Sequence, residues 1–268
     1  MSDIVDLYCK FPAPLRRPMW KIWHRLLIRF DNERTVHFMN YGYAPMNGHP
    51  PITLHEQDEK DRYCIQLYDH VVNSVDLQKK IVLEVGSGRG GGAHYIARYY
   101  KPDKYTGVDI SPGVIGYCNK AYNVPGLSFK EGRAEKIPVG DESHDAVVNV
   151  ESARCYSNLM TFFREVHRVL VPGGHFLFAD MIEKEDLPEV KKKLLQSGFT
   201  LKKETEITQN VVRGLELDNQ RRESLISNKI PSFLQKYFRS FAGTMGTKRF
   251  DSFQSSKFQY WSFVLVKA

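Results

Sequence analysis

A chain of 268 residues with 42% hydrophobic and 26% charged residues is long enough to bury a full core, as one large domain or as one domain with a cap. It contains no run of 18 apolar residues, so no transmembrane helix is expected. The net charge of +7 is scattered over RRPMWKIWHR, KKK at 191–193 and RR at 221–222, which reads as a solvated surface rather than a nucleic-acid footprint.

The N-terminus lacks an apolar signal core and a cleavage site. Cys9, Cys64, Cys118 and Cys155 form no CxxC pair and no zinc-type spacing, so no metal site is expected and a reducing, cytoplasmic setting is the default. Residues 1–60 read as a helical cap and 61–268 as the main domain. Met19–Phe30 carries apolar residues at helical spacing with basic residues between them. That helix could lie on a membrane surface, cover an apolar ligand or pack on the core. Residues 40–52 are rich in Gly, Pro and Asn and read as loop, followed by a helix over 58–73. From Lys80 strands are predicted at 81–85, 105–109, 127–130, 145–150 and 174–180, with helices at 90–100, 112–121 and 159–170. This alternation implies an α/β, doubly wound parallel sheet covered on both faces. Pro172-Gly173-Gly174 is expected to end the third of these helices and turn into the next strand. A helix over 186–197, a strand over 199–207, a polar helical stretch from 208 to about 240 and an aromatic strand over 258–266 follow.

The most specific stretch is VLEVGSGRG, Val82–Gly90. A buried strand ends in an acid, Glu84, and runs into a turn with glycines at 86, 88 and 90. Glycine tolerates positive φ and lets backbone approach a ligand, and the following helix start offers unpaired N–H groups. Gly86-x-Gly88-x-x-Gly91 satisfies a dinucleotide pattern, with Asp109 a ribose acid 18 residues later. A pyrophosphate on the helix N-terminus would be repelled by Glu84, however, whereas a ligand with an ammonium group and no phosphate would tolerate it. S-adenosylmethionine (SAM) is such a ligand. Asp109 has two oxygens to match two vicinal ribose hydroxyls. It could instead cap the next helix, but Ser111-Pro112 fits that role at least as well.

The order VLEVGSGRG, YTGVDIS, GRAEKIP, DAVVNVES, FFREVHRVLVPGG resembles class I SAM-dependent methyltransferases. With MNYGY, LEVGSGRGGGAHYIAR, NVESARCY and PSFLQKYFRSFAGTMGT, the whole chain resembles the phthiotriol/phenolphthiotriol dimycocerosate methyltransferase family. The resemblance implies a Rossmann-like seven-stranded sheet with an antiparallel last strand, a helical N-terminal cap and a substrate-covering insertion at 208–255. It also implies SAM as cofactor and O-methylation of an alcohol on a hydrophobic small molecule. Carried over, Gly86, Ser87, Gly88 and Gly90 would line the methionine and ribose portion, with Glu84 near the amino group. Asp109 would hold the ribose, Ile110 would pack on adenine, and Ala134 and Glu135 would border it. Asn149 would meet the methionine end, and Tyr41 with Asn40 would close over the cofactor. Many relatives carry an Asp where this chain has Arg133, which cannot accept a hydrogen bond.

A sulfonium is already activated, so the protein mostly positions the nucleophile, but a neutral alcohol must also lose its proton. The candidate bases are Asp180, Glu151 and His55. Relatives often carry a His where this chain has Arg154, which is too basic for the role and could instead hold an acidic group or an oxyanion. His167 reads as a packing or surface residue. Phe233, Leu234, Tyr237, Phe238, Phe241 and Phe250 of the insertion are expected to line a pocket between cap and insertion, or to bury the insertion. C- or N-methylation of a sterol-like or amine molecule, and SAM binding without turnover, are the alternative functions.

Overall fold

The computed structural model describes residues 30, 31, 35–46, 48, 50 and 52–268. Apart from Phe30, the helix expected over 19–30 lies outside them. A 3-10 turn at Glu56–Asp61 winds into α1 (Arg62–Val72), so the helix predicted from 58 starts tighter than α. Then come β1 (Ile81–Val85), α2 (Gly91–Tyr99), β2 (Lys104–Asp109), α3 (Pro112–Ala121), β3 (Leu127–Glu131) and β4 (His144–Val150). They are followed by α4 (Leu159–Val169), β5 (Leu170–Glu183), α5 (Leu187–Gln196) and β6 (Phe199–Glu206). The chain continues through α6 (Thr208–Lys229), α7 (Ser232–Ala242) and α8 (Lys248–Gln254) into β7 (Phe258–Lys267).

The seven strands form one sheet in the order β3-β2-β1-β4-β5-β7-β6. β1 pairs in parallel with both β2 and β4, and β7 runs antiparallel to β6. Chain order reverses between β1 and β4, and a doubly wound sheet binds its ligand outside the strand ends at such a point. β1 reads IVLEV because a strand covered on both faces keeps few polar side chains. α4 starts at Asn158, whose side chain accepts from the Thr161 N–H at 3.0 Å. It buries Phe162, Phe163, Val166 and Val169 as one stripe. Those rings join Phe176, Phe178, Phe199 and Phe263 in an aromatic core, with Phe176 and Phe178 stacked at 5.4 Å.

Pro172-Gly173-Gly174 does not separate α4 from β5. β5 already pairs at Leu170 with His144, resumes at His175 with Ala146, and carries the intervening residues as a bulge. Proline has no N–H for the ladder and Gly173 takes φ 76°, which places both in a bulge rather than a turn.

Two compact units are present. One comprises Tyr68–Glu206 and Tyr260–Ala268; the other comprises the described residues up to Leu67 with Ile207–Gln259. In the second, the stretch expected to be helical to about 240 breaks at Ile230, which is extended (ψ 131°) because Pro231 follows it. α7 then buries Phe238 against Ile226 and Ile230. No described helix is long and apolar enough to cross a membrane.

Candidate active site

The glycine turn is built by backbone. Gly86, Gly88 and Gly90 take φ of 77°, 49° and 79°, which L side chains rarely adopt. The N–H groups of Gly86 and Ser87 donate to the Val108 carbonyl at 2.7 and 3.0 Å, tying the turn to β2. Asp109 completes the tie: Oδ2 accepts from the Gly88 N–H at 3.0 Å, and Oδ1 accepts from the Ser111 N–H at 2.9 Å. Burial pushes the Asp109 carboxyl up, and the N–H groups of Ser111, Gly88 and Ile110 oppose it. With the Gly88, Ser111 and Ile110 N–H groups on it, this carboxylate holds the turn and keeps acceptor capacity for a ligand hydroxyl.

Glu84 lies beneath the turn with no solvent exposure. Tyr68 and Tyr105 donate to its two oxygens at 2.8 and 3.0 Å. Burial pushes the carboxyl up to about 7, against the pull of both tyrosines. Neither tyrosine was identifiable from the sequence, since Tyr68 precedes the motif and Tyr105 looks like an ordinary strand residue. Gly92 is a mark of Tyr68 alone: a Cβ there would fall 2.0 Å from the Tyr68 ring.

At the end of β4, Asn149 Nδ2 faces the Val85 carbonyl at 2.7 Å, Ser152 Oγ at 2.8 Å and Tyr156 OH at 3.0 Å. That fixes its amide orientation and leaves Oδ1 a buried acceptor without a hydrogen-bond partner among the described residues. Ser87 Oγ is buried in the same way. Two orphaned polar atoms in a cradle of glycines fit a polar ligand. Ile110 is partly buried and Ala134 is buried in the core. Glu135 instead reaches Ser157, accepting from its N–H at 2.9 Å and from its hydroxyl. Burial opposes ionisation of Glu135, yet these two bonds hold its carboxyl below the ordinary glutamate value. Glu135 thereby pins the loop after β4, with Arg133 at 3.5 Å from its other oxygen.

That loop and β5 carry the candidate acceptor-side groups. Glu151 adopts φ 54°, in the left-handed region, and its N–H donates to the Ala179 carbonyl at 2.8 Å. Tyr260 OH donates to Glu151 Oε2 at 3.1 Å. Asp180 is 1% exposed; Oδ2 accepts from the Arg154 N–H at 3.2 Å and Oδ1 from the Met181 N–H at 2.7 Å. Burial pushes Asp180 up to about 6, against the Arg154 charge and the N–H groups of Arg154, Met181 and Ala153. The Arg154 guanidinium reaches Met181 Sδ at 3.6 Å. His167 packs edge-on to Phe199 at 5.4 Å, on the helix covering the sheet.

The remaining candidates belong to the other unit. His55 is exposed at the start of the 3-10 turn Glu56–Asp61. Tyr41 is 1% exposed and packs edge-on to Phe253 at 5.1 Å. Asn40 turns its side chain inward, to the Cys64 carbonyl and the Gly42 N–H at 3.2 and 3.0 Å. Arg222, held by Asp218 at 2.9 Å, donates to the carbonyls of Asn40 and Tyr41 at 3.2 and 3.1 Å.

A family model described as a methyltransferase domain matches residues 83–178. The fatty-acid O-methyltransferase of Mycolicibacterium smegmatis is 36% identical over 249 residues, covering 92% of this chain and 89% of that one. The phthiotriol/phenolphthiotriol dimycocerosates methyltransferase of Mycobacterium tuberculosis is 34% identical over 252 residues, covering 93% and 92%. The chain belongs to this family of SAM-dependent methyltransferases. Solved structures similar to the methyltransferase share its fold. A cyclopropane synthase from Mycobacterium tuberculosis has a TM-score of 0.63 at 15% identity, covering 85% of this chain and 90% of that one. Geranyl diphosphate C-methyltransferase from Streptomyces coelicolor A3(2) has a TM-score of 0.63 at 14% identity, covering 90% and 93%. SAM, when bound, supplies a methyl group on a positively charged sulfur, already activated for displacement. The methyltransferase has to hold that group still, exclude water and present an acceptor in line with it.

Proposed function

We propose that this methyltransferase moves the SAM methyl group to a hydroxyl oxygen of a small lipophilic molecule. In this reading Asp109 takes the ribose hydroxyls. Gly86, Ser87, Gly88, Gly90 and Asn149 line the methionine side, and Ser87 Oγ and Asn149 Oδ1 supply the polar atoms that want a partner. Ile110, Ala134 and Glu135 lie on the adenine side, Glu135 acting through the Ser157 loop. Glu84 sets the charge beneath the turn. Tyr41 is a further cofactor contact, and Asp180, Glu151 and His55 are the candidate bases. The observation that supports oxygen over nitrogen is the pair of carboxylates, Glu151 directly after β4 and Asp180 within β5, the strand that pairs with β4. An alcohol needs such a proton acceptor and a neutral amine needs it less.

A second reading has one observation in its favour. Arg154 lies in the loop after β4, and a guanidinium suits a carboxylate, consistent with the relative named for fatty-acid O-methylation. Purified protein with methyl-labelled SAM and three C16 acceptors, 2-hexadecanol, palmitic acid and hexadecylamine, decides between them by mass spectrometry of the product. Methyl ether from the alcohol is expected. Methyl ester alone would establish the carboxylate reading, and label only on the amine would overturn both. Peripheral membrane contact through 19–30 belongs to the same proposal and is checked by co-sedimentation with anionic vesicles.

A further inference from the structure

We infer that Glu151 is the base that receives the acceptor proton, and that Tyr260 on the last strand is the positioning residue that aims it. The inference rests on the hydroxyl reading above and deepens it.

Two of the candidate bases, Asp180 and Glu151, lie within this unit, and their surroundings separate them. Asp180 is almost fully buried, which leaves an acceptor little access to it, and it is tied to backbone through Oδ2 on the Arg154 N–H at 3.2 Å and Oδ1 on the Met181 N–H at 2.7 Å. Its bond to the Arg154 N–H falls inside the short 3-10 turn Ala153–Cys155, so its carboxylate holds the loop in place. Arg154 keeps its proton throughout the working range. Glu151 is partly exposed and follows directly on β4, at the strand end where ligands bind. Its φ of 54° is sparsely populated for a non-glycine residue, and the chain holds it there with a 2.8 Å bond to the Ala179 carbonyl. Lys79, Lys101, Glu142 and Ser256 share this φ range, and of the five Glu151 is the one that directly follows β4 at the ligand-binding end of the sheet.

Tyr260 supplies the aim. It is fully buried, and its hydroxyl donates to Glu151 Oε2 at 3.1 Å. Burial first, and then the Glu151 charge, keep that hydroxyl protonated far above its ordinary range, so it remains a donor at every working pH. The charged groups facing this pair are Asp180 from β5 and Arg154 from the loop, which both act on Tyr260. In the step itself the acceptor O–H bond breaks and its proton passes to the Glu151 carboxylate. The O–CH3 bond forms as the S–CH3 electron pair returns to sulfur. The sulfonium charge is thereby cancelled and one proton is left on Glu151.

The test uses the full chain with 2-hexadecanol as acceptor, comparing wild type, Tyr260→Phe and Glu151→Gln. Rates across pH are measured beside calorimetric titration of S-adenosylhomocysteine. Glu151→Gln is expected to lose about a hundredfold or more in kcat, in the range of general base catalysis, while S-adenosylhomocysteine affinity stays within about twofold. Tyr260→Phe is expected to lose roughly tenfold in kcat with KM for SAM unchanged. Its acid limb should move to higher pH, because a donated hydrogen bond favours the ionised carboxylate. A limb that stays in place in Tyr260→Phe, or full turnover in Glu151→Gln, overturns the inference while leaving hydroxyl methylation standing. If wild type methylates palmitic acid and ignores the alcohol, the hydroxyl reading falls instead, and the inference with it, since an ionised acceptor needs no base. Should Glu151→Gln fail to fold, Tyr260→Phe, which deletes one oxygen, decides alone.

Discussion

The Tyr105 hydroxyl stands 3.0 Å from Glu84 Oε2, a contact made wholly inside the protein under the glycine turn. Burial holds this carboxyl at about 7 in the folded chain, well above its unfolded value. An acid raised on folding binds its proton more tightly in the native state. The stability it contributes is therefore complete at low pH and is lost as pH rises from the ordinary glutamate range through about 7. His70 and His144, pushed down to about 4 by burial, tilt the curve the other way. The informative quantity is accordingly the difference between wild type and Glu84→Gln. Relative to the variant, wild type should lose roughly 5 °C of melting temperature between pH 5 and 7.5, on the usual scaling for a domain of this size. Parallel melting curves across that interval would show that Glu84 is ionised throughout.

Asp109 joins the turn to the loop after β2 through the N–H groups of Gly88 and Ser111. Asp109→Asn keeps the shape but places an NH2 against one of those donors. Binding of S-adenosylhomocysteine should weaken about ten- to a hundredfold, the equivalent of one or two charge-assisted hydrogen bonds. Calorimetry reads this directly, and an unchanged Kd would remove Asp109 from the cofactor site.

Two glycines make a matched stability test. A Cβ on Gly92 would lie 2.0 Å from the Tyr68 ring, whereas one on Gly116, exposed within α3, would meet nothing within 4 Å. Gly92→Ala should cost about 1–3 kcal/mol through overpacking. Gly116→Ala should gain about 0.5–1 kcal/mol from helix propensity and a less flexible unfolded chain. Chemical denaturation measures both, and equal effects at the two positions would mean that Tyr68 does not pack on α2.

Those contacts also show what a sequence can and cannot carry. The strands and glycines of the cofactor half were readable because their signals are local: apolar runs, positive-φ glycines and acids at fixed offsets. The bulge at Pro172–Gly174 was misplaced because Pro-Gly-Gly marks a break in either geometry, and only the pairing of Leu170 with His144 tells them apart. Tyr68, Tyr105 and Tyr260 were missed because each meets its carboxylate across 16, 21 and 109 residues of chain, where spacing holds no information. Arg222 and Asp218 show the intermediate case. Their i,i+4 pairing is legible, while the reach of Arg222 to the carbonyls of Asn40 and Tyr41 is not. α8 went unpredicted because it is only seven residues long.

The strand order also bears on how the protein is made. β6 has β7 as its sheet neighbour, and β7 is inserted between β5 and β6. While the chain emerges from a ribosome, β6 therefore waits some fifty residues for a partner, and β5 presents a bare edge for about seventy-five. The cofactor half can assemble during that wait, but the sheet closes only when the segment bearing Tyr260 arrives. In that window the unpaired edges of a nascent chain are open to edge-to-edge pairing with its neighbours.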